Sequence, residues 1–390
     1  MRRQLGIVML TLITTFVGFG LIIPVMPEMV QDAGAAPIHL GLLLSVYAAA
    51  SFVCSPLWGA LSDRIGRRPV ILTGLFGFAV SFVLFGLADH RLWLMYVSRF
   101  LGGVFSGAAV SCTVAYVADI TTEAERTRAM GLVGMSIGLG FILGPAVGGV
   151  LGEIGHTVPF FAATGLSLLT LLFAWRALPE SLAPERRMVR AEGHLSRWAA
   201  FRGPLKYLYI IVFIVSFTLA GLEGTLQYFQ MARIGASTAQ IGVMFAIVGI
   251  VGALVQGGVI RRLVKPGTEG RAIGIGLVLA AVGMFLIIFT TNFWTATLYL
   301  ALFGTGHALI RPCVTSLVTQ RTTVGQGVAS GLVSSMDSLG RILGPVVGTA
   351  LYTLHATYPF LAGAVVLLAG LLCLYGFVAV DRKLVTTKAI

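Results

Sequence analysis

Residues 59–72 read Gly-Ala-Leu-Ser-Asp-Arg-Ile-Gly-Arg-Arg-Pro-Val-Ile-Leu, a short charged turn between two long apolar runs. Five ionisable or turn-forming residues stand where nearly every neighbour is hydrocarbon: Asp63, Arg64, Gly66, Arg67 and Arg68. A turn this short between two helices favours a tight antiparallel pair. Because Lys and Arg collect in the cytoplasmic loops of membrane proteins, the turn also predicts which side of a membrane it occupies.

The composition around this turn is that of a membrane protein. Hydrophobic residues make up 57% of the 390-residue chain and charged residues 11%, with a mean hydropathy of +0.93. An ordinary soluble domain has about 25% charged residues. Apolar runs of about 20 residues recur, and this is the length that crosses about 30 Å of hydrocarbon as a helix. Because helices satisfy their own backbone hydrogen bonds in lipid, we predict an all-α membrane protein.

The apolar runs form two sets of six on either side of a polar stretch. The predicted spans are 5–26, 38–61, 69–87, 93–117, 127–151, 158–178, 206–229, 239–263, 271–290, 294–317, 326–352 and 358–380. We therefore predict six-helix bundles at 1–178 and 206–390, joined by a linker loop at 179–205. Most of the 27 Lys and Arg residues fall in alternate loops, the linker among them. This bias predicts that the linker and both chain ends are cytoplasmic.

Several other classes of protein fit the sequence less well. The net charge of +12 would suit a nucleic-acid partner, but the loop bias already explains it. The four cysteines lie in apolar runs without metal or redox spacing, so no metal site is predicted. The sequence has no nucleotide-binding loop and no nucleophile–base pair, so we predict neither a cofactor nor an enzyme. The short external loops argue against a receptor.

An internal repeat relates the two predicted bundles. Gly140-Phe-Ile-Leu-Gly-Pro-Ala-Val-Gly-Gly149 recurs as Gly340-Arg-Ile-Leu-Gly-Pro-Val-Val-Gly-Thr349. Spans 5 and 11 therefore correspond, and the bundles are predicted to be parallel copies with pseudo-symmetry. Two repeated bundles around a central site are typical of secondary transporters.

Four motifs in the expected order resemble those of the major facilitator superfamily. The turn at 59–72 resembles the superfamily's signature between spans 2 and 3, and Arg99 with Gly103 resembles its second motif. The stretch 140–149 is similar to the antiporter motif of drug:proton antiporters. The stretch 18–27, Gly-Phe-Gly-Leu-Ile-Ile-Pro-Val-Met-Pro, is similar to the twelve-span subgroup.

Two further features narrow the resemblance. With Glu223 in span 7 and Arg311-Pro312 in span 10, the chain most resembles NorA/Bmr-type multidrug efflux proteins, and the resemblance covers essentially the whole chain. It implies proton-coupled efflux of amphipathic drugs, expected to be cationic, across the cell membrane by alternating access. It implies a monomer in the lipid bilayer. The alternatives are an exporter dedicated to one substrate, such as tetracycline, and a lipid or sugar-phosphate transporter.

The resemblance implies a gate on each side of the membrane. At the cytoplasmic turn, Asp63 can accept hydrogen bonds from free N–H groups at a helix N-terminus, and Asp119 is the nearest carboxylate for the arginines. In span 5, glycines at every fourth residue share one face that allows close helix packing, and the proline can kink the helix. The predicted cytoplasmic-gate residues are Gly59, Asp63, Arg64, Gly66, Arg67, Arg68 and Asp119. The predicted external-gate residues are Gly140, Gly144, Pro145, Gly148 and Gly149.

Ionisable residues inside the spans are the sharpest functional signal, because charge is costly at membrane depth. We predict that Glu223 takes up a proton, or alternatively that it forms a structural ion pair with Arg311. His307 stands where the resembled proteins are expected to have aspartate; it can titrate near neutral pH but offers no permanent negative charge. Asp337 and Arg341, at i and i+4, form either a self-satisfied pair or a second proton site. The predicted coupling residues are Glu223, His307, Arg311, Arg99 and Asp337.

A drug pocket is predicted from aromatic residues. Phe16, Phe19 and Ile23 fall at i, i+3 and i+7, on one face of span 1. An aromatic, mostly apolar cavity suits amphipathic aromatic cations through stacking and cation–π attraction. The predicted substrate-binding residues are Phe16, Phe19, Ile23, Ser51, Phe141, Glu223, Phe303 and His307.

Overall fold

The described part of the chain is almost entirely helical. The computed structural model describes residues 2–182, 203–260, 262, 264, 267–322 and 326–388, and no strand occurs among them. Their long helices are α1 (Arg2–Ile22), α2 (Ile38–Ile65), α3 (Arg67–Gly86), α4 (Leu92–Ile120), α5 (Glu123–Ile154), α6 (Val158–Ala177), α7 (Leu205–Ile234), α8 (Thr238–Leu254), α9 (Glu269–Leu286), α10 (Phe293–Arg321), α11 (Gln326–Leu354) and α12 (Tyr358–Lys388). The shorter pieces are an α-helix at Met26–Asp32, a π-helical turn at Val255–Ile260 and a 3₁₀ turn at Ile287–Phe289.

The long helices have the length and surface of membrane spans. Eleven of those described are long and apolar enough to cross a membrane, and α11 has the length of a span but carries Asp337 and Arg341. Large apolar side chains are exposed on the helix surfaces, among them Trp93 (63%), Phe173 (60%) and Leu372 (75%). Continuous apolar surface of this kind is unstable in water and stable in lipid. The structure thus agrees with the predicted all-α fold of twelve membrane-length helices.

Prolines and one glycine set helix ends that differ from the predicted spans. Helix α1 ends at Ile22 because a proline disfavours helical geometry in the residue before it, and Pro24 follows. The chain then turns into the short helix Met26–Asp32. A single residue, Gly66, separates α2 from α3, with φ of +107° in the left-handed region that favours glycine. The charged residues predicted to form a turn therefore lie in the last turn of α2 and the first turn of α3.

The chain divides into two compact units. The first contains Met1–Glu192 and Ser237–Ala246, and the second contains Gly193–Ala236 and Ile247–Ile390. The first turns of α8 therefore pack with the first unit, which the sequence did not indicate. Most of the predicted linker at 179–205 lies outside the described residues, and the predicted domain limits stay predictions.

Most helix pairs of the first unit have a counterpart in the second. In the first unit α1 packs on α5 and α6, while α4 packs on α2 and α3. In the second unit α7 packs on α11 and α12, and α10 packs on α9. Three of these pairs correspond with an offset of six helices; the pair of α2 and α4 has no such counterpart among the described residues, and the start of α8 belongs to the first unit. The sequence repeat marks one such pair, because Gly344 approaches the backbone of α7 as Gly144 approaches that of α1.

Candidate functional site

The turn between α2 and α3 is organised by the side chain of Arg67. Its Nη2 lies 2.6 Å from Asp63 Oδ1, and its Nε donates to Asp119 Oδ2 on α4 at 3.1 Å. Its Nη1 donates to Ser62 Oγ at 2.5 Å. The side chain is only 11% exposed, so these charged contacts are partly shielded from solvent. The predicted pairing of the arginines with Asp119 is therefore present.

A carboxylate that the sequence did not indicate, Glu180, holds the start of α3. Its two oxygens accept hydrogen bonds from the backbone N–H groups of Arg67 at 2.8 Å and Arg68 at 3.1 Å. It also accepts from the N–H groups of Ser181 and Leu182. The first N–H groups of a helix have no partner inside the helix, and its N-terminus attracts negative charge. Glu180 therefore supplies the cap that the sequence assigned to Asp63.

The remaining predicted residues of this turn have different surroundings. Asp63 pairs with Arg67 instead of capping α3, which corrects its predicted role, because Glu180 already occupies the free N–H groups. Arg68 donates to the carbonyl of Trp175 at 2.6 Å. Arg64 is exposed, and a methyl group at Gly59 would meet open space. The partners of Arg67 and Arg68 lie in the first unit, so a latch between the halves stays a prediction.

Replacing Glu180 should destabilise the turn. We expect Glu180→Gln to lower the free energy of unfolding by about 2 kcal/mol, because one acceptor oxygen of a charged cap is lost and an N–H donor takes its place. The midpoint of thermal unfolding of the purified protein in detergent measures the effect. Asp89→Asn is the matched control, since Asp89 is 75% exposed and its ion-pair partner among the described residues is His90, which is 67% exposed. Equal midpoints for the two variants would show that Glu180 does not stabilise α3.

The glycines of α5 form a contact face against α1. A methyl group at Gly144 would lie 2.7 Å from Cα of Gly20 and 2.8 Å from the carbonyl oxygen of Val17. A methyl group at Gly140 would overlap Cβ of Phe16, and one at Gly148 would overlap the carbonyl oxygen of Leu21. These three predicted gate residues therefore bring two helices of the same unit close together.

The other predicted gate residues of α5 face the first turns of α8. A methyl group at Gly149 would lie 2.6 Å from the carbonyl oxygen of Thr238 and 3.1 Å from Cα of Ala239. A methyl group at Gly242 would overlap the carbonyl oxygen of Pro145. Gly149 and Pro145 thus form a backbone-to-backbone contact with α8, whereas the other glycines contact α1. The stretch predicted as one gate serves two different helix contacts.

A polar cluster that sequence reasoning missed lies where the short helix Met26–Asp32, the end of α5 and the start of α8 meet. His156 Nε2 lies 2.8 Å from Glu28 Oε2, and its Nδ1 lies 3.0 Å from Asp32 Oδ2. Thr238 Oγ1 donates to Glu28 Oε1 at 2.5 Å. Ser237 Oγ donates to Glu153 Oε1 at 2.7 Å. These bonds tie the start of α8 to the short helix and to the end of α5. The partners of His156 on the short helix are distant from it in sequence, so spacing gave no signal of these contacts.

Four aromatic rings cluster in the first unit beside Arg99. The Phe16 and Phe141 ring centroids are 5.3 Å apart, and the Phe19 ring lies 5.9 Å from Phe141 and 5.3 Å from Tyr47. The buried guanidinium of Arg99 lies 4.3 Å from the Tyr47 ring centroid and 5.9 Å from that of Phe19. Cation–π attraction of a desolvated pair is worth about 2 kcal/mol. The cluster brings three predicted pocket residues together and adds Tyr47, which the sequence did not single out.

Three other predicted pocket residues lie apart from these rings. Ile23 is buried in the turn after α1, because the helix ends before it, so it does not extend the face of Phe16 and Phe19. Ser51 lies at the close contact of α2 with α4. Phe303 is 1% exposed and packed against Gly283 of α9, and its ring centroid lies 4.5 Å from that of His307, with the two rings tilted. Its predicted pocket role is corrected to a packing role that supports His307.

The second unit contains an open cleft between α7, α10 and α11. Its polar lining includes His307, Arg311 and Asp337, and most of the other lining residues are apolar. Asp337 Oδ1 lies 3.2 Å from Arg311 Nη2 and accepts from Ser216 Oγ at 2.6 Å, and its Oδ2 accepts from Arg341 Nε at 3.4 Å. The predicted i, i+4 pair of Asp337 and Arg341 is therefore present, but Arg311 is a third member. We call this network of four residues the Asp337 cluster; its members are Ser216, Arg311, Asp337 and Arg341.

Glu223 and His307 are the ionisable residues near the cleft that the Asp337 cluster does not include. Glu223 makes no ion pair with the described basic residues, so the alternative of a pair with Arg311 is wrong: Arg311 contacts Asp337. His307 Nε2 is buried and has no hydrogen-bond partner within the described part of the chain. Arg99 lies in the other unit, so the structure groups only four of the five predicted coupling residues.

Two repeated bundles of membrane-length helices define a multi-pass membrane protein with transporter architecture. The family model described as Major Facilitator Superfamily matches residues 8–329 and 269–389. The chain belongs to the major facilitator superfamily, as its motifs predicted.

Named relatives lie within this family. Multidrug resistance protein 2 of Bacillus subtilis (strain 168) is 33% identical over 377 residues, covering 95% of this chain and 94% of the relative. Tetracycline resistance protein, class C, of Escherichia coli is 34% identical over 363 residues, covering 91% of each chain. The crystal structure of the human organic anion transporter MFSD10 (TETRAN) superposes with a TM-score of 0.72 at 28% identity, covering 96% of this chain and 99% of that one.

Proposed function

We propose that this chain is a proton-coupled exporter of amphipathic drugs that carry a positive charge, working by alternating access. The observation that carries the proposal is Glu223, an acidic residue within a membrane-length helix and without an ion-pair partner among the described residues. Such a carboxyl group is costly to keep ionised and can exchange a proton during transport. A multidrug resistance protein 33% identical over nearly the whole chain supports the same function.

The proposed proton pathway uses the second unit. Glu223 takes up an external proton and releases it to the cytoplasm, and this proton exchange is coupled to the change between the outward-open and inward-open states. Asp337 keeps its charge, because two guanidinium groups and a hydroxyl group contact it. It therefore positions Arg311 and Arg341 and does not exchange the proton. Arg99 stabilises the aromatic cluster of the first unit through its contacts with the rings of Tyr47 and Phe19.

Two gates are part of the proposal. On the cytoplasmic side, Arg67 holds α2, α3 and α4 together through Asp63 and Asp119, and Glu180 fixes the start of α3. On the external side, the contact of Gly149 with the start of α8 closes the path, supported by the bond from Thr238 to Glu28. Opening the external side requires these two backbones to separate. Glycine at position 149 allows them to approach this closely in the closed state.

The proposal includes an orientation and a setting. The arginine-rich end of α3 and both chain ends face the cytoplasm, since Lys and Arg accumulate on that side of membrane proteins. The protein works as a monomer in the cell membrane, with the exposed apolar side chains of its helices against lipid.

Transport by purified protein in vesicles tests the function. We expect vesicles whose lumen is more acidic than the medium to accumulate ethidium, because the protein exchanges each drug molecule that enters for protons that leave. The accumulation should stop when an ionophore dissipates the gradient. Vesicles without the protein are the control. Ethidium transport that persists after the gradient is collapsed would refute proton coupling. A complete absence of transport of several unrelated dyes would refute drug export.

A dedicated tetracycline exporter is the second candidate. It is favoured by the 34% identity to a tetracycline resistance protein over 91% of the chain. Growth inhibition of cells that express the protein separates the two functions. Protection against several unrelated drugs supports the multidrug function, and protection against tetracycline alone supports the second candidate.

A further inference from the structure

The Asp337 cluster places more positive than negative charge at the cleft of the second unit. The guanidinium groups of Arg311 and Arg341 share the single carboxylate of Asp337, at 3.2 and 3.4 Å. Ser216 gives the same carboxylate a further hydrogen bond. The acceptor capacity of Asp337 is therefore largely used, and the three charged side chains together are net positive.

Arg311 has donors available toward the cleft. Its side chain is 61% exposed, and Nη2 is the nitrogen that contacts Asp337. A guanidinium group carries five N–H donors in a planar fork that matches the two oxygens of a carboxylate. Because Asp337 holds one edge of the group, less conformational entropy is lost when a ligand binds the other edge.

His307 adds a second donor on the same side of α10. It precedes Arg311 by four residues, so the two side chains lie on one helix face, and both line the cleft. Its ring is held against Phe303 at 4.5 Å, and its buried Nε2 has no hydrogen-bond partner among the described residues. A buried polar atom without a partner is costly, and a ligand that supplies the partner removes that cost.

The walls beside these donors are apolar and lead toward Glu223. Val212, Val215 and Leu219 line the α7 side of the cleft, and Val314 lies on the α10 side. Glu223 follows Leu219 by four residues on the same face of α7, about 6 Å further along the helix. Hydrogen-bond donors, an apolar surface and an acidic residue therefore follow one another within the second unit.

We infer that this cleft binds the anionic end of a zwitterionic amphipathic substrate, with Arg311 and the Nε2–H tautomer of His307 donating to its carboxylate. Asp337 positions Arg311, and the cationic end of the molecule extends along α7 toward Glu223. The inference rests on the proposed export function and refines its substrate class. A substrate with positive charge alone is disfavoured at Arg311 by like-charge repulsion and leaves the donors of the cleft unpaired.

A matched pair of dyes tests this inference directly. Rhodamine 110 carries a free carboxylate and a cationic xanthylium, and rhodamine 123 is its methyl ester. Fluorescence anisotropy with the purified full-length protein gives the Kd of each dye. We expect the wild-type protein to bind rhodamine 110 about tenfold more tightly than the ester, because the ester loses a charge-assisted pair of hydrogen bonds.

Three variants assign the preference to the proposed donors. We expect Arg311→Gln to reduce the preference to about twofold or less, while Asp337 keeps its contacts with Arg341 and Ser216. His307→Phe should reduce the preference by weakening rhodamine 110 more than rhodamine 123, because phenylalanine keeps a ring beside Phe303 but donates no hydrogen bond. Val314→Ala, in the apolar wall, should weaken both dyes by the same factor.

The outcomes separate this inference from the proposed function. A wild-type protein that prefers the ester, or variants that weaken both dyes equally, would overturn the carboxylate site. If rhodamine 123 is exported with a proton gradient but rhodamine 110 binds no better, only this inference fails. If neither dye binds or is transported, the proposed export function fails with it. The wild-type comparison decides the matter even where a variant does not fold.

Discussion

Glu223→Gln should abolish transport driven by a proton gradient while leaving dye binding intact. Glutamine has nearly the same shape but cannot exchange a proton, so the bound drug is no longer displaced by one. We expect uphill accumulation of ethidium in vesicles to fall by about 100-fold or more, the range that removal of an essential proton-transfer group gives. The Kd for ethidium, measured by fluorescence, should change by about threefold or less, because α7 keeps its packing on α11.

Glu125→Gln is the matched control for this variant. Glu125 is exposed in the first turn of α5, where its carboxylate accepts from Thr122 at 3.0 Å. The same chemical change there should leave transport unchanged. Wild-type rates in Glu223→Gln would exclude Glu223 as the coupling residue. Loss of ethidium binding together with transport would instead make Glu223 a substrate contact.

Gly149→Ala should prevent α5 and the start of α8 from closing. The added methyl group would lie 2.6 Å from the carbonyl oxygen of Thr238, a backbone atom that cannot move aside by changing rotamer. We expect α8 to be displaced, the external path to leak, and ethidium accumulation to fall by about tenfold or more, since separation of packed backbones costs at least about 1.4 kcal/mol. Faster decay of an imposed pH gradient, followed with a trapped pH-sensitive dye, measures the leak.

Two glycines of the same helix provide controls for Gly149→Ala. A methyl group at Gly138 would have no atom within 4 Å, so Gly138→Ala should transport normally. At Gly152 the nearest atoms are side-chain carbons of Val25, at 2.9 Å, and Thr238, at 3.1 Å, which can shift at lower cost. Gly152→Ala should therefore have a smaller defect. Normal transport without a leak in Gly149→Ala would remove this contact from the external gate.

Sequence reasoning located the charged turn and one of its ion pairs. The pairing of Arg67 with Asp119 could be predicted because the turn and the inner end of the fourth span face the same side of a membrane. Glu180 could not be predicted as the cap of α3, because more than a hundred residues and several helices separate it from Arg67. Glu180 lies three residues after the end of α6, and it reaches the N-terminus of α3 because α3 packs on α6.

Spacing predicted neighbours along one helix, but it missed partners that come from other helices. Phe16 and Phe19 share a face of α1 as their spacing indicates, but Tyr47 joins them from α2. The spacing of Asp337 and Arg341 predicted their contact, but it did not predict that Arg311 reaches the same carboxylate from α10. Spacing reports neighbours along one helix, and it contains no information on which helix packs beside it.

The sequence by itself determined the all-α fold, the twelve helices, the parallel repeat and the family, because these depend on local hydrophobic length and on motifs within short stretches. The tertiary structure alone decided which side chains meet. It assigned the cap of α3 to Glu180, the partner of Gly149 to α8, and Phe303 to the packing behind His307. The physical reason is that hydrogen bonds and close packing act over a few ångströms, so they depend on how helices distant in sequence are placed together.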